Sequence, residues 1–90
     1  MELQQYYKQI LSNGEAIPFQ VKGPGTDGQL RIMSAYPIKG LLQLTDYELS
    51  KDYVERMIEQ KEIIPIGKDE FDNLCNLYIT HQRRYKTVNL

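Results

Sequence analysis

Ninety residues with 11 Lys and Arg against 12 Asp and Glu carry a formal net charge of -1 and are 41% apolar, which fits one soluble domain over residues 1–90 and excludes a surface wholly adapted to nucleic acid, because phosphate binding needs clustered cations. No run of about 18 apolar residues offers a membrane span, and the start Met1-Glu2-Leu3-Gln4-Gln5 lacks the basic-then-apolar order of a signal peptide, so membrane insertion and secretion are not expected. The lone cysteine, Cys75, excludes an internal disulfide and a multi-cysteine zinc site and fits the reducing cytoplasm.

Taken in chain order, Leu3, Tyr6, Tyr7, Ile10 and Leu11 recur at three- and four-residue steps, which predicts a first helix over 3–12 stopped by Asn13-Gly14. Ile17, Phe19 and Val21 alternate with Pro18, Gln20 and Lys22, the pattern of a strand with one wet face, and Pro18 places it at an edge or a strand start. Gly23-Pro24-Gly25-Thr26-Asp27-Gly28 is a hairpin loop. It lacks the Gly-Lys-Ser/Thr ending and the following helix that a phosphate loop needs. Leu30, Ile32 and Ser34 alternate again, and a third strand is expected over Ile38 to Leu44.

Thr45 with Glu48 has the Thr-x-x-Glu spacing of a capping box, which predicts a second helix from there to Lys61, with Ser50 as an alternative cap. Ile63-Ile64-Pro65-Ile66 reads as an apolar connection. Phe71, Leu74, Cys75, Tyr78, Ile79 and Gln82 share one face of a third helix. The expected fold is therefore α+β in the order α-β-β-β-α-α, with three helices packed on one face of an antiparallel sheet of about three strands.

The sequence offers little chemistry. Cys75 and His81 are six residues apart, about 120° around a helix and nearly two turns along it, which is unsuited to a nucleophile and its base. One His and one Cys do not make a transition-metal site without carboxylates, and no carboxylate spacing supports one. Neither catalysis nor a cofactor is expected. Tyr6 or Tyr7, Tyr53 and Tyr78 fall on apolar faces and read as core, whereas Tyr36, beside Pro37, and Tyr85 read as contact residues.

Charge is distributed unevenly. Between residues 46 and 72, Asp46, Glu48, Asp52, Glu55, Glu59, Glu62, Asp69, Glu70 and Asp72 meet only Lys51, Arg56, Lys61 and Lys68. On a helix from Thr45 to Lys61, Glu48, Asp52, Glu55, Glu59 and Glu62 share an arc of about 80° opposite the apolar face. A solvated face is the plain reading of such a row; against it, like charges at these steps cost about 0.2–0.5 kcal/mol each, only partly offset by Lys51 with Glu55 and Asp52 with Arg56, and the alternative expectation is a binding edge. Carboxylates spaced along a rod mimic the charges of a nucleic-acid strand and suit a basic groove on a protein that handles nucleic acid. Small size and a composition rich in Ile, Tyr, Lys, Gln and Asn suit an inhibitor of the phage or mobile-element kind.

A rival reading is a DNA-binding regulator. Arg83, Arg84 and Lys86 interleave with Tyr85 near the end of the sequence, a pattern that holds phosphate and stacks a base. Ser50 to Ile58, followed by Ile63-Ile64-Pro65-Ile66, resembles the recognition helix and wing of excisionase-type helix-turn-helix segments. Against it, Leu42 to Leu49 is too short for a first helix and turn, and Glu48, Asp52, Glu55 and Glu59 would face phosphates.

Overall fold

The computed structural model describes residues 3–38 and 41–77. Five antiparallel strands form one sheet: β1 (Tyr6–Ile10), β2 (Ala16–Pro24), β3 (Gln29–Ile38), β4 (Leu41–Ser50) and β5 (Ile63–Pro65), in the spatial order β4-β3-β2-β1-β5. Helix α1 (Lys51–Glu59) links β4 to β5, and a second helix, α2, occupies residues 68–77. The class is α+β, but the three-stranded sheet with three helices is overturned.

The predicted first helix is strand β1. Its register sets Tyr7 beside Phe19 and Gln9 beside Ile17, so alternate side chains leave on opposite faces of the sheet. Tyr7 and Phe19 meet edge to face, with ring centroids 6.3 Å apart, on the face that α1 covers. Tyr6 leaves on the other face and packs on Phe71 of α2 at 4.9 Å. Both faces are covered, so adjacent residues of one strand are both apolar and imitate a helical stripe. The helices therefore lie on opposite faces of the sheet, not on one.

The core beneath α1 consists of Tyr7, Phe19, Val21, Ile32, Val54, Met57 and Ile63. The alternation expected for Ile17, Phe19 and Val21 is present, all three being buried. Pro18, however, sits in an interior strand. The β2–β3 ladder begins at the Phe19–Ser34 pair, so the missing amide of Pro18 breaks no rung toward β3. Beyond that rung, β3 and β4 continue as a two-stranded hairpin to the Ile38–Leu41 pair. Buried Ser34 shares a 2.6 Å hydrogen bond between its hydroxyl and that of Tyr47.

Thr45 is not a cap, because residues 41–50 are strand β4, paired with β3 over ten rungs without a bulge. The predicted third strand thus starts later and runs further. Ser50 is the N-cap: its Oγ accepts from the Tyr53 amide at 3.1 Å. At the other end, Lys61 N–H donates to the Ile58 carbonyl and Glu62 N–H to the Met57 carbonyl, the double bond pattern of a Schellman stop with Lys61 left-handed at φ 60°. No glycine marks this stop, so sequence alone extends the helix too far. The turn then delivers Ile63 to β5, which pairs with β1 and is a sheet strand instead of a loose connection.

Because a left-handed L-residue costs about 1–2 kcal/mol, and glycine returns part of that through unfolded-chain entropy, Lys61→Gly is expected to raise stability by about 0.5 kcal/mol. Equilibrium urea unfolding checks this, and a loss of stability would show that Lys61 makes a contact worth more than the strain.

Candidate functional site

The five carboxylates expected in one row belong to three different elements. Glu48 lies on β4, directly opposite Arg31 of β3. Its Oε1 accepts from the Thr26 hydroxyl at 2.7 Å and from the Thr26 amide at 3.1 Å. These bonds hold its carboxyl below its ordinary value against the opposing effect of desolvation, and the Arg31 charge adds a smaller lowering. Glu48 thus anchors the β2–β3 loop. In that loop, Asp27 and Gly28 both have positive φ, and the Gln29 amide donates to the Thr26 carbonyl, the type I′ turn for which Asp-Gly is suited. Gly25 makes room for the anchor, since a Cβ there would lie 2.9 Å from the Glu48 carboxyl carbon.

Asp52, Glu55 and Glu59 stay together on α1. Val54 and Met57 define its buried side. At 100° per residue the three carboxylates fall within an arc of about 60° on the opposite side. Asp52 and Glu59 are exposed and Glu55 is half-buried. Asp52, in the first turn, complements the helix dipole. Among the described residues the ion pairs are Lys8–Glu70, Lys22–Asp46 and Lys68–Asp72, and none involves these three acids. Glu62 is exposed but lies past the Schellman turn, where its carbonyl accepts from the Ile10 amide, so it is adjacent to the row and not part of the helix.

Tyr53 is a correction. Read as core, it is 48% exposed on the shoulder of α1. The signal was available: with Val54 and Met57 as the centre of the buried side, Tyr53 falls about 70° away, at the boundary. The exposed surface of α1 therefore combines three acids, the cations Lys51 and Arg56 and a half-exposed tyrosine ring.

Other expected residues are not brought to this surface. Tyr36 occupies a register position of β3 opposite Gln43. Tyr85, Arg83, Arg84, Lys86 and His81 lie outside the described residues, as do Tyr78, Ile79 and Gln82. Cys75 is half-buried on α2, and desolvation, then the neighbouring Asp72 charge, raises its thiol above the ordinary value, which disfavours the reactive thiolate. The helix-turn-helix arrangement has no first helix, because β4 runs directly into the α1 cap. Among the described residues no group of three His, Cys, Asp or Glu side chains is placed to hold a metal ion, and no helix is long and apolar enough to cross a membrane.

No protein-family model, curated protein or solved structure matches this chain.

Because the Glu48 carboxyl is held below its ordinary value in the fold, its contribution to stability is present above the ordinary carboxylate range and is lost as pH falls through the depressed value. Glu48→Gln is therefore expected to lower the urea midpoint at pH 7 and to converge on the parent protein in acid. Parallel midpoint curves across that range would mean that the Thr26 contact does not depend on the charge.

Proposed function

We propose that this protein is a small non-enzymatic binder and inhibitor of the phage or mobile-element kind, acting in the cytoplasm by docking the outward face of α1 on a basic surface of a nucleic-acid-handling protein. The observation that carries this reading is the row Asp52, Glu55 and Glu59, left without an ion pair among the described residues while Lys8, Lys22 and Lys68 pair with other carboxylates.

Lys51 with Glu55 and Asp52 with Arg56 have the alternating i,i+4 charge of a solvated helix, but Glu59 follows Glu55 by four residues and the three acids share one side. Carboxylates held about 5–6 Å apart on a rigid rod present a repeating anionic edge, which speeds encounter with a cationic groove and orders the docked pair. Tyr53 adds a rigid ring with one hydroxyl beside that edge, the type of side chain that anchors protein interfaces.

The double substitution Glu55→Gln with Glu59→Gln removes the like-charge i,i+4 contact and keeps helix propensity, so folding should be unchanged or slightly more stable. Binding should weaken by about 2–4 kcal/mol, a loss that shrinks with added salt. The check is capture from a host lysate by the immobilised protein, with the retained proteins identified and competed by duplex DNA. Nucleic-acid-binding proteins displaced by DNA and lost with the double variant support the reading. Retention of the same partners by a folded double variant, or indifference to DNA, overturns it.

A further inference from the structure

The two edges of the sheet differ in kind. Backbone bonds fix which groups point outward: Val21 N–H donates to the Gln5 carbonyl, whereas Ile66 N–H donates to the Tyr6 carbonyl and Ile10 N–H to the Glu62 carbonyl. Odd residues of β1 thus bond to β2 and even ones to β5. Since bonding direction alternates along each strand, Ile64 bonds inward to Lys8 and Pro65 turns its amide position outward. That edge is three residues long and has a proline where an outward donor would stand, both devices that blunt an edge.

Carried the other way through the register, the same alternation has Arg31 and Met33 bonding toward β2, Ile32 and Ser34 toward β4, and Thr45 and Tyr47 back toward β3. Leu42, Leu44, Asp46 and Glu48 then direct their amides and carbonyls out of the sheet. No described residue pairs with them. This edge is ten residues long and has no proline, lysine or bulge. Natural sheets seldom leave such an edge bare, because it templates a further strand.

We propose that the β4 edge pairs with the same edge of a second copy of this chain, antiparallel about a two-fold axis at Thr45. The strand's own sequence selects this occupant and register. With Thr45 opposite Thr45, Asp46 stands opposite Leu44 and Glu48 opposite Leu42, so no carboxylate faces another, whereas moving the axis one residue to Asp46 sets the two Asp46 residues opposite each other. The outward groups then meet as hydrogen-bonding pairs, 44 with 46 and 42 with 48, and the threonines form the non-hydrogen-bonded pair between them, a favoured cross-strand match. The charges of this strand are already answered within one copy, Asp46 by Lys22 at 3.5 Å and Glu48 by Thr26 and Arg31. An acidic strand that would repel its twin is thereby made compatible with it.

Sedimentation of the intact protein over a dilution series should show a dimer in exchange with monomer. Asp46→Pro removes only an outward amide and a long surface ion pair; entering twice per dimer, it is expected to weaken association at least about tenfold with the fold retained by circular dichroism. Cross-linking tests the register separately, and decides should Asp46→Pro fail to fold. In a Cys75→Ala background, Thr45→Cys sets two thiols in a pair with Cα atoms about 4.5 Å apart, within disulfide reach. Diamide, taking up the two electrons and two protons, should join them into a dimer. Gln43→Cys lies about 13 Å from its twin in this register and should not cross-link. A monomer at every concentration, a dimer indifferent to Asp46→Pro, or equal cross-linking at 43 and 45 overturns the proposal.

Discussion

The structure depends on α1 carrying the chain across the sheet. β4 and β5 occupy opposite edges, and the pairing through β3, β2 and β1 makes them run in the same direction. The connection must therefore cross four inter-strand spacings, about 19 Å, and also return along the strand direction from the end of β4 to the start of β5. Nine helical residues supply about 14 Å of that diagonal path, and Gln60 to Glu62 lead from the helix into β5. A helix stretched this way has little freedom in what it buries: Val54 and Met57 close over Phe19 and Ile32, and the side opposite them is left to water. Ser50 and the Schellman turn at Lys61 set its two ends, so the placement of the acidic row follows from the crossing itself.

What was legible in the sequence follows how many faces each element buries. β2 alternates visibly, with Ile17, Phe19 and Val21 inward, and α1 has a clear apolar side at Val54 and Met57. The Phe71 face of the last helix was likewise readable, with Phe71 buried and Leu74 and Cys75 half-buried. β1 was not, because Tyr6 and Tyr7 are needed on opposite faces and their adjacency hides the period of two. β4 was hidden by coincidence: Thr45 and Glu48 have capping-box spacing, yet Thr45 faces Ser34 across the ladder and Glu48 reaches back to Thr26. Local spacing cannot distinguish a carboxylate that caps its own helix from one that holds a loop about twenty residues away.

That misreading changes the meaning of the acidic segment. A single row of five carboxylates would have had one purpose. Instead Glu48 is occupied by the β2–β3 loop and Asp46 by Lys22, both on the same strand, and the row on α1 holds only Asp52, Glu55 and Glu59. The sequence excess of acid in this region thus divides into carboxylates that hold strands and loops together and carboxylates that no described cation answers. The second group faces outward without a pairing cation, whereas a charge paired as Asp46 is with Lys22 is largely cancelled a few ångströms away.

The two proposed surfaces respond to salt with opposite sign, which keeps them separable. Pairing two copies about an axis perpendicular to the sheet sets both α1 helices on the same face of the joined sheet, so their acidic rows repel across the dimer. Screening that repulsion favours association of the copies, while the backbone bonds along β4 are insensitive to ionic strength. Docking of α1 on a cationic groove is attractive and weakens as salt rises. Association that strengthens with salt beside partner binding that weakens therefore identifies two distinct surfaces. Were both to weaken together, the copies would be held by attraction between opposite charges, which the β4 register does not contain, and the β4 edge would not be their contact.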